Sequence, residues 1–117
     1  MHVEILARNV PLTPLLRDLV ERRVRFALAR FANRVQEVRV RLDDLNGPRG
    51  GLDMRCHMTA RLRTGGQIDA ELTDLQIEPA ICRCAERLAR RVRDAGATRI
   101  VLRRRRRAKP PVPAPAE

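Results

Sequence analysis

The chain has 117 residues, 25 Lys and Arg against 14 Asp and Glu, and a formal charge of +11. That is length for one small core, and a field that favours a polyanionic partner, since each neutralised phosphate releases a condensed counterion. Two Phe, no Tyr and no Trp argue against a platform on which bases stack, as in RRM or OB-type modules.

The cations are arginine except for Lys109. A GC-rich genome accounts for arginine over lysine, but not for the excess of cations over anions. Guanidinium adds a planar fork that grips phosphate oxygens in pairs. Residues 103–117 hold Arg103, Arg104, Arg105, Arg106, Arg107 and Lys109 against Glu117 alone, so close to half of the net charge sits there. Three cysteines in no framework spacing fit a reducing compartment. With no apolar leader and no apolar run near the ~18 residues of a membrane span, the expectation is a cytoplasmic protein with no membrane partner.

In chain order, residues 2–8 alternate, with Val3, Ile5 and Ala7 on one side, and predict a half-buried first strand. Thr13-Pro14 predicts a helix start, Thr as N-cap and Pro at the first helical position. Leu16, Leu19, Val20, Val24, Ala27 and Phe31 then recur at helical spacing, so this helix is expected to end near Ala32-Asn33. Val38, Val40 and Leu42 alternate with Arg39, Arg41 and Asp43 in a second strand. Asn46-Gly47-Pro48-Arg49-Gly50-Gly51 predicts a turn. Met54, Cys56, Met58, Ala60 and Leu62 give a third strand its apolar face, and Gly65-Gly66 predicts a hairpin into a fourth with Ile68, Ala70 and Leu72 inward. Pro79 is expected to open a second helix with Ile81, Cys84, Ala85, Leu88, Ala89 and Val92 as its stripe, stopped by Gly96 at C′. Residues 98–102 then extend as a short strand or trail. Four prolines in residues 109–117 predict a disordered end.

The order β-α-β-β-β-α, with one apolar face per strand, asks for an α+β sandwich: a four-stranded sheet covered on one side by two helices. The first crossover is expected to be right-handed and the last three strands to form an antiparallel meander. Residues 1–96 make the domain, and 97–117 a basic, then Pro-rich, largely disordered tail.

If both helices pack on the same face, Arg17, Arg22 and Arg25 stand near Arg83, Arg87, Arg90 and Arg91, two basic ridges suited to a folded RNA backbone. Solubility alone also places charge on exposed helices, but the second helix carries more arginine than that requires. The other sheet face, with Arg39, Arg41, Arg55, His57, Arg61 and Arg63 relieved by Asp43, Asp69 and Glu71, reads as cross-strand pairing first. Cys56, His57, Cys82 and Cys84 lack zinc spacing: strand neighbours point to opposite faces, and no Cys-x2-Cys pair exists. No metal, cofactor, small-molecule substrate or catalytic residue is expected.

Several segments together resemble a known group: Asn9-Val10 leading to Thr13, Leu16-Arg17, Val20 and Phe31; Asp-x-x-Asn-Gly-Pro-basic-Gly-Gly from Asp43 to Gly51, then Asp53 and Cys56; and Ala80-Ile81 before Leu88-Ala89-Arg90. Over residues 1 to about 95 the chain is similar to bacterial ribosome hibernation-promoting and ribosome-associated inhibitor proteins, in a short single-domain form. The resemblance implies a fold topologically like a double-stranded-RNA-binding domain. It also implies docking on the small ribosomal subunit between head and body, in the path of mRNA and tRNA anticodon ends. Arg22, Arg23, Arg25, Arg87, Arg90 and Arg91 would be the positions touching rRNA. The family's Asp-x-Tyr-x-Ala-Ile-Asp signature reads here Gln76-Ile77-Glu78-Pro79-Ala80-Ile81-Cys82. Without the linker and second domain of longer members, direct pairing of ribosomes is not expected, and the protein itself should be a monomer.

The expected site is therefore Arg22, Arg23, Arg25, Arg83, Arg87, Arg90 and Arg91, with the arginine run 103–107 as an auxiliary electrostatic element. Two rival readings stand beside it: a general RNA binder anchored by that run, and a regulatory module for an acidic protein.

Overall fold

A computed structural model describes residues 1–45 and 54–108, the side chains of 97–108 excepted. The expected turn at 46–51 and the proline-rich end lie outside the described residues. Strands β1 (His2–Arg8), β2 (Val35–Asp44), β3 (Met54–Leu62) and β4 (Gln67–Asp74) and helices α1 (Pro14–Ala27) and α2 (Ile77–Ala108) follow the order β1-α1-β2-β3-β4-α2. The α+β fold is as the alternation required: one four-stranded sheet in spatial order β1-β2-β3-β4. β1 runs parallel to β2 because α1 carries the chain back, while β2-β3-β4 is an antiparallel meander.

Register lines the apolar residues up in rows. Ile5 pairs with Val40, Val40 with Met58 and Met58 with Ala70; Val3, Val38, Ala60 and Ile68 make the next row. Val20 and Val24 of α1 and Ile81, Cys84, Leu88 and Val92 of α2 are buried with these rows in a single core. Aliphatic and sulfur side chains fill it; the rings do not. Val35 and Val38 are both buried although three apart, which strict alternation forbids; the register shifts between Val35 and Glu37, and this bulge returns both to the core. In the turn after β3, Gly65 and Gly66 both have positive φ, a conformation a Cβ would strain.

Helix starts follow the sequence closely. Thr13 Oγ1 accepts from the Leu16 amide at 3.2 Å, and Pro14 sits where no intrahelical donor is needed. α2 begins two residues before Pro79, which falls in its first turn, and Asp74 accepts from the Gln76 amide at 3.4 Å just ahead of it.

Helix ends differ from expectation. α1 ends at Ala27 and gives way to a 3-10 turn over Ala29–Phe31, with the Phe31 amide bonded to the Leu28 carbonyl at 2.9 Å. The tighter turn is what lets Leu28 be fully buried under the sheet. Gly96 does not stop α2, nor do residues 98–102 form a strand: the helix continues to Ala108. A glycine inside a helix costs about 1 kcal/mol but leaves the hydrogen-bond ladder intact, and the Ala- and Arg-rich stretch beyond favours helix up to Pro110.

Candidate nucleic-acid interface

The two basic surfaces of the molecule spend their charge differently. On the open sheet face, register sets Arg39, Arg55 and Arg61 each opposite a carboxylate. Glu4 pairs with Arg39 and bonds it at 3.1 Å, Glu37 with Arg61 at 3.3 Å, and Asp43 with Arg55 at 2.9 Å. His57 lies 4.0 Å from Asp69, diagonally across β3 and β4. Arg41 has no ion-pair partner among the described residues. This face is largely neutralised by its own cross-strand pairs, each worth a few tenths to about 1 kcal/mol.

The helix flank is built otherwise. Arg83, Arg87 and Arg91 recur every four residues on the side of α2 that overhangs β4, an edge strand of the sheet. Arg83 bonds the Asp74 carboxylate at 3.2 Å. Arg87 and Arg91 donate through Nη1 to the backbone carbonyls of Glu71, at 3.0 Å, and Asp69, at 2.8 Å. Those carbonyls are two residues apart and point out of the same edge, so the arginines cover acceptors that another strand could otherwise recruit. One N–H of five is used in each of these two bonds, and both side chains stay on the exposed surface.

Arg90 turns away from that edge, toward α1. There, Arg23 and Arg90 flank an open groove of about 460 Å³ between the helices, lined also by Phe26, Ala27, Cys82, Ala85, Glu86 and Ala89. Neither arginine has an ion pair among the described residues. Phe26 is 81% exposed, although it is one of only two phenylalanines in a chain without Tyr or Trp.

The remaining expected positions fall elsewhere. Arg22 bonds Asp18 one turn earlier at 2.9 Å on the outer side of α1. Arg25, about 200° round the helix from Arg23, donates to the Met1 carbonyl at 3.2 Å and so lies toward the start of β1. The seven arginines thus do not make two simple ridges. Arg83, Arg87 and Arg91 form an edge row, Arg90 and Arg23 a groove pair, and Arg22 and Arg25 stand apart. Side chains of Arg103, Arg104, Arg105, Arg106 and Arg107 lie outside the described residues, on a helical backbone.

Sequence reasoning missed Phe26 as a surface group. The signal available was negative: position 26 is absent from the apolar stripe of its helix. It also missed Arg34, whose guanidinium stacks 5.4 Å from the Phe31 ring centroid and donates to the Val92 carbonyl at 3.3 Å, tying the start of β2 to α2.

The three cysteines do not gather at one site: two meet in the core and the third lies apart. Cys56 and Cys84 are buried in the core, where the Cys84 thiol donates to the carbonyls of Ala70 and Cys56 at 3.3 and 3.4 Å. The hydrogen bond shared with Cys84, then burial, pushes the Cys56 thiol far above its ordinary value. Cys82 is half-buried at the groove, and His57 faces the opposite side of the sheet. Among the described residues no three His, Cys, Asp or Glu are grouped to hold a metal, and no helix is long and apolar enough to cross a membrane.

Residues 3–99 match the family described as sigma 54 modulation protein / S30EA ribosomal protein. The chain belongs to this family. It is a family of ribosome-associated modulation and hibernation factors. A ribosomal subunit interface protein from Coxiella burnetii shares the fold at a TM-score of 0.69 with 16% identity, over 83% of this chain and 99% of that one. The N-terminal domain of Protein Y from Thermus thermophilus aligns at a TM-score of 0.66 with 26% identity, over 79% of this chain and 96% of that one. No curated protein matches the chain. α2 is opened here by Asp74, bonded to both the Gln76 amide and Arg83, two residues before the segment where the signature is replaced.

Proposed function

We propose that this protein is a cytoplasmic, bacterial translation inhibitor that silences idle ribosomes by docking on small-subunit rRNA near the decoding region. The observation that carries the proposal is the contrast between surfaces. On the sheet face Arg39, Arg55 and Arg61 are matched by carboxylates in register, with Arg8 and Arg41 left without an ion pair among the described residues. On the helix side, by contrast, Arg23 and Arg90 stand unpaired about one groove, with Arg87 and Arg91 beside them keeping most of their donors free. Unspent guanidinium groups on a rigid pair of helices suit the phosphates of a folded RNA, where shape supplies the selectivity that charge lacks. On this reading residues 1–96 are the binding domain and the arginine run 103–107 adds a less specific attraction.

The test is co-sedimentation with purified small subunits across a salt series, with and without residues 103–117. Binding should fall steeply with salt, survive removal of the tail at low salt, and be lost on combining Arg23→Glu with Arg90→Glu. Undiminished binding by that double variant would sink the surface assignment. A general RNA binder anchored by the arginine run remains the second reading, favoured by the charge concentrated there. It predicts that duplex RNA of arbitrary sequence displaces the protein from subunits at equal phosphate concentration.

A further inference from the structure

We infer that the groove between α1 and α2 holds an unpaired nucleobase, stacked on Phe26, with Arg23 and Arg90 gripping the flanking phosphates. This rests on the ribosome-binding reading and names what the same surface would take. Three observations lead to it. The chain has two phenylalanines, and they are treated oppositely: Phe31 packs against the core under the Arg34 guanidinium, while Phe26 keeps an open face at 81% exposure. The opposite wall is made of Cys82, Ala85 and Ala89, small side chains that leave a shallow slot suited to a flat ring rather than a branched side chain. The rim carries two arginines and one carboxylate, Glu86, which makes no ion pair with either of them and can accept from base N–H groups.

An acidic protein segment is the rival occupant, since it would also satisfy two arginines. It has no need of a flat ring, and any apolar side chain at position 26 would serve it. Base stacking needs the π face, tolerates any base, and works on single strands whose bases are splayed out. The scarcity of aromatic residues therefore rules out a sheet-borne platform but leaves one stacking position on a helix.

The experiment uses the full chain and its Phe26→Leu, Phe26→Tyr and Phe26→Ala variants, with equal thermal midpoints as the check that an exposed substitution leaves the fold intact. Affinity is measured for a single-stranded RNA hexamer and, as a polyanion without bases, for inorganic polyphosphate. Phe26→Leu should weaken RNA binding about tenfold, the loss of one stacked base. Phe26→Tyr should restore it, and polyphosphate binding should not change in either. Equal RNA affinity of Phe26→Leu and wild type overturns the inference. So does small-subunit co-sedimentation kept by Phe26→Leu but lost by Phe26→Ala, which would assign the groove to an apolar protein contact. If the wild type shows the RNA discrimination but does not bind small subunits, the stacking site stands and the ribosomal reading falls.

Discussion

Arg34 occupies the space that a side chain at position 96 would take: a Cβ built on Gly96 would stand 2.6 Å from its Cζ. The glycine that reads as a helix stop is instead a seat for a guanidinium, and that contact fastens the start of β2 to the body of α2. Gly96→Ala gains about 1 kcal/mol of helix propensity and loses about as much from displacing Arg34, with its bond to Val92 and its stack on Phe31. The single change should therefore be close to neutral. In an Arg34→Ala background the same change should stabilise by about 1 kcal/mol, which a double-mutant cycle in denaturant detects.

Asp43 is the one charged residue among the described residues that is nearly buried, at 9% exposure, and Arg55 holds it through Nε at 3.3 Å and Nη2 at 2.9 Å. Removing only one partner strands the other. Arg55→Ala should cost about 1–3 kcal/mol of unfolding free energy. Arg39→Ala, which breaks an exposed pair with Glu4, should cost less than about 1 kcal/mol. Equal costs would show that burial does not distinguish the two pairs.

Each arginine that touches phosphate adds to the salt dependence of binding. Arg90→Gln should flatten the slope of log K against log salt for small subunits by about 1, with Arg41→Gln on the sheet face leaving it unchanged. The reverse order would move the interface to the other side of the molecule. Arg87→Glu and Arg91→Glu are less clean reporters, because each also uncovers a carbonyl of the β4 edge.

Thiol chemistry should separate the three cysteines. Cys56 and Cys84 are buried, and Cys56 is held protonated by the bond it shares with Cys84 and by burial, whereas Cys82 is half-buried at the groove. A maleimide at pH 8 should label Cys82 alone in the folded protein and all three after unfolding, as read by mass. Labelled Cys82 fills the slot beside Phe26, so small-subunit binding should drop; rapid labelling of Cys84 would contradict the packing.

Much of the fold is legible in the chain. Val38, Val40 and Leu42, and Cys56, Met58, Ala60 and Leu62, alternate strictly, and all prove buried because two-residue periodicity is a local property of strands. Thr13-Pro14 marks its helix start for the same reason. Where the chain is silent or misleads, a distant partner decides. Val35, which the sequence pattern left out, joins the core through a bulge answered by β3, and Gly96 marks no helix end: its bare side seats Arg34, 62 residues earlier.

Composition and periodicity on their own determined a basic α+β sandwich with arginine-rich helices, because charge and amphipathic spacing are written residue by residue. Which arginines remain available was decided only by tertiary structure. Strand register matched Arg39, Arg55 and Arg61 with carboxylates, and the seat of α2 over β4 engaged Arg83, Arg87 and Arg91. The same packing left Arg23, Arg90 and Phe26 facing solvent. A guanidinium is free or spent according to what stands within about 3 Å of it, and that neighbour comes from a remote part of the chain.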